Sequence, residues 1–124
     1  MTANEFLEYI NYFSNQHYDA YYTDDIVLQL PTMVLEGKEA VKAFYTKQNQ
    51  YIHETIRVRK VLFEGDALIA HIVSDFYCLQ DWSDFVVKPM KKGEMHRSEL
   101  LVLYKIRENK FCLIRGARLT PGPY

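Results

Sequence analysis

The chain has 124 residues, 15 Lys and Arg against 16 Asp and Glu, and 48% hydrophobic residues. That length predicts one domain over 1–124 that buries roughly two thirds of its unfolded surface. The near-neutral charge speaks against the phosphate-neutralising surface of a nucleic-acid binder and against a polybasic membrane contact, so neither partner is expected. No apolar run approaches the ~18 residues of a membrane helix, and the first residues lack a basic stretch followed by an apolar one. Cys78 and Cys112 lie in apolar runs and read as buried free thiols of a reducing compartment, which makes the cytoplasm the expected location. The unusual content is aromatic: ten Tyr, seven Phe and one Trp. Tyrosine brings an apolar ring and a polar tip. So many predict either a well-filled core or a ligand cavity with polar ends.

In residues 3–15, Phe6, Tyr9, Ile10 and Phe13 recur at helical spacing, which predicts an amphipathic helix with Thr2 or Asn4 as its cap. Residues 16–23 suggest a further helical turn. Ile26 to Leu30, closed by Pro31, is β-branched enough for a strand, and 33–36 is a short extended piece ending at Gly37. Residues 38–52 are helical, with Val41, Phe44 and Tyr45 on one face. Four strands follow at 56–64, 67–79, 95–107 and 110–119. Gly65-Asp66 and Glu108-Asn109 turn two of the hairpins, and a loop spans 80–93. Helices first and hairpin-joined strands after them predict an α+β fold. One face of the antiparallel sheet would pack on the helices. The other, with Ile69, Val73 and Tyr77 under one phase choice, suits a homodimer through the sheet.

Tyr22-Thr23-Asp24-Asp25-Ile26-Val27-Leu28, followed by Gly37-Lys38-Glu39-Ala40-Val41, resembles the SnoaL-like group of the nuclear transport factor 2-like superfamily. Gly65-Asp66 before a long strand and the turn Arg107-Glu108-Asn109-Lys110-Phe111 resemble its central and final hairpins. The resemblance implies a curved antiparallel sheet wrapped around N-terminal helices, a cone-shaped cystatin-like α+β barrel with an apolar cavity. It further implies a cofactor-free acid/base enzyme, an isomerase, dehydratase or cyclase. The substrate would be a hydrophobic carbonyl or polyketide-like small molecule of secondary metabolism. The superfamily also includes epoxide hydrolases and non-enzymatic binders, so a non-catalytic small-ligand-binding or dimerisation module is the alternative.

His53 resembles the catalytic histidine of scytalone dehydratase-like members. Their partner aspartate falls in or just after the first helix, where Asn11, Asn15 and Asp19 stand. Tyr9 resembles the tyrosine with which ketosteroid isomerase-like members bind an oxyanion. The isomerases' aspartate before a proline is not carried over, because Leu30 precedes Pro31. Asp75 and His71 share one face of a long strand. His96 and Ser98 share a face of the next, and Arg97 and Glu99 share its opposite face. If Asp75 looks into the cone it is the best carboxylate for acid/base work. The phase Leu68, Ala70, Ile72, Ser74 and Phe76 is equally suited to be the inward one, and periodicity leaves the choice open. Phe13, Tyr22, His71, Trp82, Phe85, His96 and Glu99 are the expected pocket residues, with Trp82 and Phe85 as a lid or as filler beneath the sheet. Arg97, Arg115 and Arg118 would pair with Glu99 or bind an anionic ligand group. No metal is expected, because strand rise separates His71 and Asp75 by about 13 Å.

Overall fold

The first helix, α1 (Ala3–Asn11), begins at a reciprocal cap. The Glu5 amide donates to Thr2 Oγ1 and the Thr2 amide to Glu5 Oε1, each at 3.1 Å, so two otherwise orphaned donors are satisfied. The structure, a computed structural model, describes residues 1–11 and 18–119. The expected pocket residue Phe13, and Asn15 with it, lie outside the described residues. α1 buries Phe6, Tyr9 and Ile10, and a 3₁₀ turn at Tyr18–Ala20 leads into β1 (Tyr22–Leu30). Then come β2 (Met33–Glu36), α2 (Lys38–Tyr51), β3 (Ile52–Glu64), β4 (Ala67–Cys78), β5 (Met95–Arg107) and β6 (Lys110–Arg118).

The six strands form one sheet in the order β2-β1-β6-β5-β4-β3. The antiparallel meander expected for the second half runs from β3 to β6. β1 instead pairs with β6 in parallel, so the sheet is mixed. It curves around the helices without closing, and the α+β architecture is the expected one. The curved sheet and α2 enclose a core that includes Phe6, Tyr22, Ile26, Leu28, Val41 and Phe111. A smaller cluster of Ile52, Phe76, Cys78, Phe85 and Met90 sits under the β4–β5 loop.

β3 starts directly after α2, at Ile52 rather than Ile56. Residues 52–55 pair in register with Cys78, Tyr77, Phe76 and Asp75. That pairing pulls into the sheet a segment whose own composition marks it as a junction, so tertiary context overrides local preference. A bulge between Val58 and Lys60 then shifts the phase of β3 by one residue. Val58 and Val61 thereby both stay opposite inward residues of β4, Ile72 and Ala70.

Candidate active site

The inward phase of the long strands is now fixed. On β4 it is Leu68, Ala70, Ile72, Ser74 and Phe76, all buried. The side chains of Ile69, His71, Asp75 and Tyr77 therefore emerge on the outer face, because successive strand residues alternate. Corrections to the sequence reading follow. Asp75 is not in the cone. It accepts from Arg97 Nε at 2.7 Å and from Arg57 at 3.2 Å on the outer face. The Arg97 guanidinium holds its carboxyl below the usual carboxylate range. His71 and Glu99 are not in it either, since they bond to one another at 2.9 Å on the same outer face. His53 is exposed opposite Tyr77, also outside.

Tyr9 does face inward. It lines a small, mostly apolar cavity of about 80 Å³ between α1, α2 and the concave sheet. Tyr22 is fully buried behind it, the two hydroxyls 2.7 Å apart. His96 lies on the inward phase of β5 opposite Phe76, and it is not among the residues lining the cavity. Trp82 and Phe85 stack on each other at 5.0 Å, Trp82 also on Tyr51, and Phe85 packs edge-on against Phe76. They fill the space under the sheet end. The residues that their loop sends to the cavity are Val86 and Val87.

Sequence reasoning missed the carboxyl that lines the cavity, Glu54. It stands on the inward phase of β3 between Ile52 and Ile56 and lines the cavity with Tyr9, Tyr45, Gln48 and Tyr104. Gln48 Nε2 donates to Glu54 Oε1 at 2.8 Å. Burial raises the Glu54 carboxyl above its ordinary value, and the hydrogen bond from Gln48 opposes that rise. The tyrosines respond to the same dry environment. Burial raises the hydroxyls of Tyr9, Tyr22, Tyr45 and Tyr104, and a negative Glu54 adds to the effect at Tyr22, Tyr45 and Tyr104. All therefore stay protonated near neutrality and keep their O–H donors. A carboxyl poised toward neutrality beside neutral phenols can accept a proton at one point and hydrogen-bond a developing oxyanion at another.

Both missed groups leave a readable signal. Gln48 continues the buried stripe Val41, Phe44, Tyr45 at the next helical position, and it is itself buried. Glu54 is the one polar residue in the apolar alternation Ile52, Glu54, Ile56, Val58, while the other phase carries His53, Thr55, Arg57 and Arg59.

The cavity opens past Leu30, Val86 and Val87 into a wider mouth of about 230 Å³, lined also by Pro31, Thr32 and Arg118. Among the described residues, no group of three His, Cys, Asp or Glu side chains stands together in a way that would hold a metal ion. No helix among them is long and apolar enough to cross a membrane.

No protein-family model matches the chain, and no curated protein sequence matches it. Solved structures do. A candidate polyketide cyclase of Pseudomonas putida KT2440 superposes with a TM-score of 0.73 over 94% of this chain and 91% of its own, at 18% identity. An LEH-like epoxide hydrolase of M. tuberculosis gives 0.71 over 90% and 77%, at 10% identity. A protein of ketosteroid isomerase-like fold from Catenulispora acidiphila gives 0.73 over 94% and 86%, at 9% identity. The chain has the same fold as these solved structures, the α+β fold that the resemblance implied.

Proposed function

We propose that the cavity is the active site of a cofactor-free acid/base enzyme that acts on a small hydrophobic carbonyl compound. The observation that carries this reading is Glu54, a carboxyl raised by burial in an apolar cavity shared with protonated tyrosines. In this mechanism the Glu54 carboxylate takes a proton from the carbon next to the carbonyl. The electron pair of that C–H bond becomes the C=C bond of an enolate, and the C=O π pair moves onto the carbonyl oxygen, which accepts a hydrogen bond from a tyrosine, Tyr9 in the oxyanion role that the resemblance gives it. The protonated Glu54 then returns the proton at another carbon, giving isomerisation. If the enolate instead expels a β-hydroxyl, the proton leaves in water, giving dehydration. If it attacks a second carbonyl, the proton goes to the new alkoxide, giving cyclisation. The fold shared with a candidate polyketide cyclase supports the last outcome and a place in secondary metabolism.

Size narrows the substrate. An apolar cavity of roughly 150 Å³ admits benzene, and the inner chamber here is about half that. The reacting end is therefore slender, and any bulk lies in the mouth.

The test is deuterium exchange at the α-carbon of small ketones such as 2-pentanone, followed by proton NMR. Wild-type protein is expected to accelerate exchange, with a rate that rises as Glu54 ionises above the usual carboxylate range. Glu54→Gln should lower it by about 10²–10⁴-fold. Full exchange activity in that variant would overturn the reading. The hydrogen bond from Gln48 favours a second reading, a non-catalytic binding module, because it occupies one carboxylate oxygen. Under that reading the wild type binds the ketones and exchanges nothing.

Two further features belong to the proposal. Ile69, Tyr77, Met95 and Leu101 are exposed on the outer sheet face, which supports pairing of two copies through that face. The cytoplasm remains the expected location.

A further inference from the structure

Three residues of β6 lie in a row from the cavity floor to its rim. Ile114 is buried and lines the inner chamber, Gly116 lines the same chamber, and Arg118 lines the mouth. Alternate strand residues share a face and step by about 6.7 Å, so the row forms a track along which a ligand enters. Gly116 lines the inner chamber beside Leu30, which lines both the chamber and the mouth. A glycine inside a strand weakens it, and it is usually explained by a special backbone angle or by a need for space. Gly116 has no positive φ. A Cβ built there would meet only Leu30 Cδ2, at 3.7 Å, an ordinary contact. Neither a special backbone angle nor a tight contact demands the glycine, which leaves the space beside it as its distinguishing feature.

Arg118 is the one charged side chain among the described residues that line the mouth. The rest of that lining is Leu30, Pro31, Thr32, Val86 and Val87. A guanidinium on an apolar rim is a donor fork for a carboxylate. Arg118 also has a contact of its own within the chain, and its five donors can serve both. Glu54, which lines the inner chamber from β3, supplies the opposite charge when ionised. A ligand with a second anion at its reacting end would meet repulsion there, whereas one with a single anion at its outer end would not.

We propose that β6 selects the ligand. Gly116 acts as an aperture that passes only a slender chain, and Arg118 as the clamp for an anionic group, a carboxylate, at the outer end. The substrate class is then a short acid whose neutral, reactive end points at Glu54. This rests on the reading of the cavity as the ligand site, and it is tested by binding alone, without turnover.

The probes are hexanoate and its neutral isostere hexanamide, each titrated into ¹⁵N-labelled protein near neutral pH and followed by amide shifts of Ile114, Gly116 and Val87. Hexanoate should bind about fivefold tighter than hexanamide, as expected for a charge-assisted pair at an accessible rim. Arg118→Gln should erase that preference while leaving hexanamide binding unchanged, and Arg118→Lys should restore part of it. Gly116→Val should abolish binding of both probes while the amide spectrum remains that of a folded protein. Gly116→Ala, a smaller change, should weaken both in case the valine variant fails to fold. Equal binding of the two probes by wild type, or an unchanged preference in Arg118→Gln, overturns the clamp. Undiminished binding in the Gly116 variants overturns the aperture, and no binding of either probe overturns both. Loss of the catalytic reading shows separately, as retained ketone exchange in Glu54→Gln with the probe preferences intact.

Discussion

Keeping Glu54 in the cavity costs the folded state stability, and the cost depends on pH. A carboxyl whose folded pKa lies above its unfolded value binds its proton more tightly when folded. Stability therefore falls as pH rises from the ordinary value of 4.5 through the raised folded one. Glu54→Gln removes this term and keeps the hydrogen-bonding shape. Its melting temperature relative to wild type is expected to climb as pH rises above the ordinary carboxyl value of 4.5, and thermal scans at several pH values check it. A relative melting temperature that is flat with pH would mean the carboxyl is well solvated. Asp75 works in the opposite sense. Its pKa is lowered, chiefly by Arg97, so its contribution is present above the ordinary value of 3.8 and fades as pH falls through the lowered one. The two carboxyls sit on opposite faces of one sheet, and their environments give them different work. In sequence they looked alike. Asp75 drew attention as a charge in mid-strand, yet the arginine on the neighbouring strand that settles its role is visible only in the register Asp75↔Arg97.

At the scale of elements, the hairpin between β5 and β6 carries a local strain. Glu108 and Asn109 both adopt positive φ, 53° and 61°, the left-handed pair that a two-residue hairpin turn requires. Asparagine tolerates this region, whereas glutamate has no short polar group to compensate. Glu108→Asn should stabilise the protein by about 0.5–1 kcal/mol and raise its melting temperature by a few degrees. Calorimetry of the single variant decides it, and an unchanged or lower melting temperature would show that the turn is held by its strands. The turn itself was legible from its residues, as were α2 and the four long strands. The start of β3 was not, because nothing in 52–55 announces a strand until β4 lies beside it. That displaced boundary moved attention to His53 and away from the residue after it. On a strand, one position is the difference between the outer face and the cavity.

For the whole molecule, the legible part was the layer plan, helices on one side of a curved sheet. What stayed hidden was which phase of β4 faces in. Either phase of β4 could face in, since Leu68 to Phe76 is mostly apolar and Ile69 to Tyr77 mixes apolar residues with His71 and Asp75 as candidate cavity groups, and the position of the helices breaks the tie. On the outward face Val73 is buried, while other apolar residues stay exposed, among them Met95 at 64% and Ile69 at 45%. If two copies pair through this face, light scattering should give twice the 14.7 kDa of one chain. Leu101→Glu, in the middle of β5, should return it to a single chain without unfolding, since a charge facing a charge across a symmetric contact disfavours pairing. A wild-type mass of one chain would discard the pairing.

The parallel seam between β1 and β6 has a consequence for how the protein comes into being. Thr23 Oγ1 donates to the Phe111 carbonyl across 88 positions of chain, and Tyr22 sits in register with Phe111. β1 leaves the ribosome early and has no sheet partner but the short β2 until the last strand has been made. The cavity, whose wall includes Ile114 and Gly116 of that strand, cannot exist on a nascent chain. Until then Ile26 and Leu28 can lean on α2 but lack the wall that β6 gives them. A chain stalled before β6 would present them to whatever else is in the cell, and the final hairpin is the step that withdraws them.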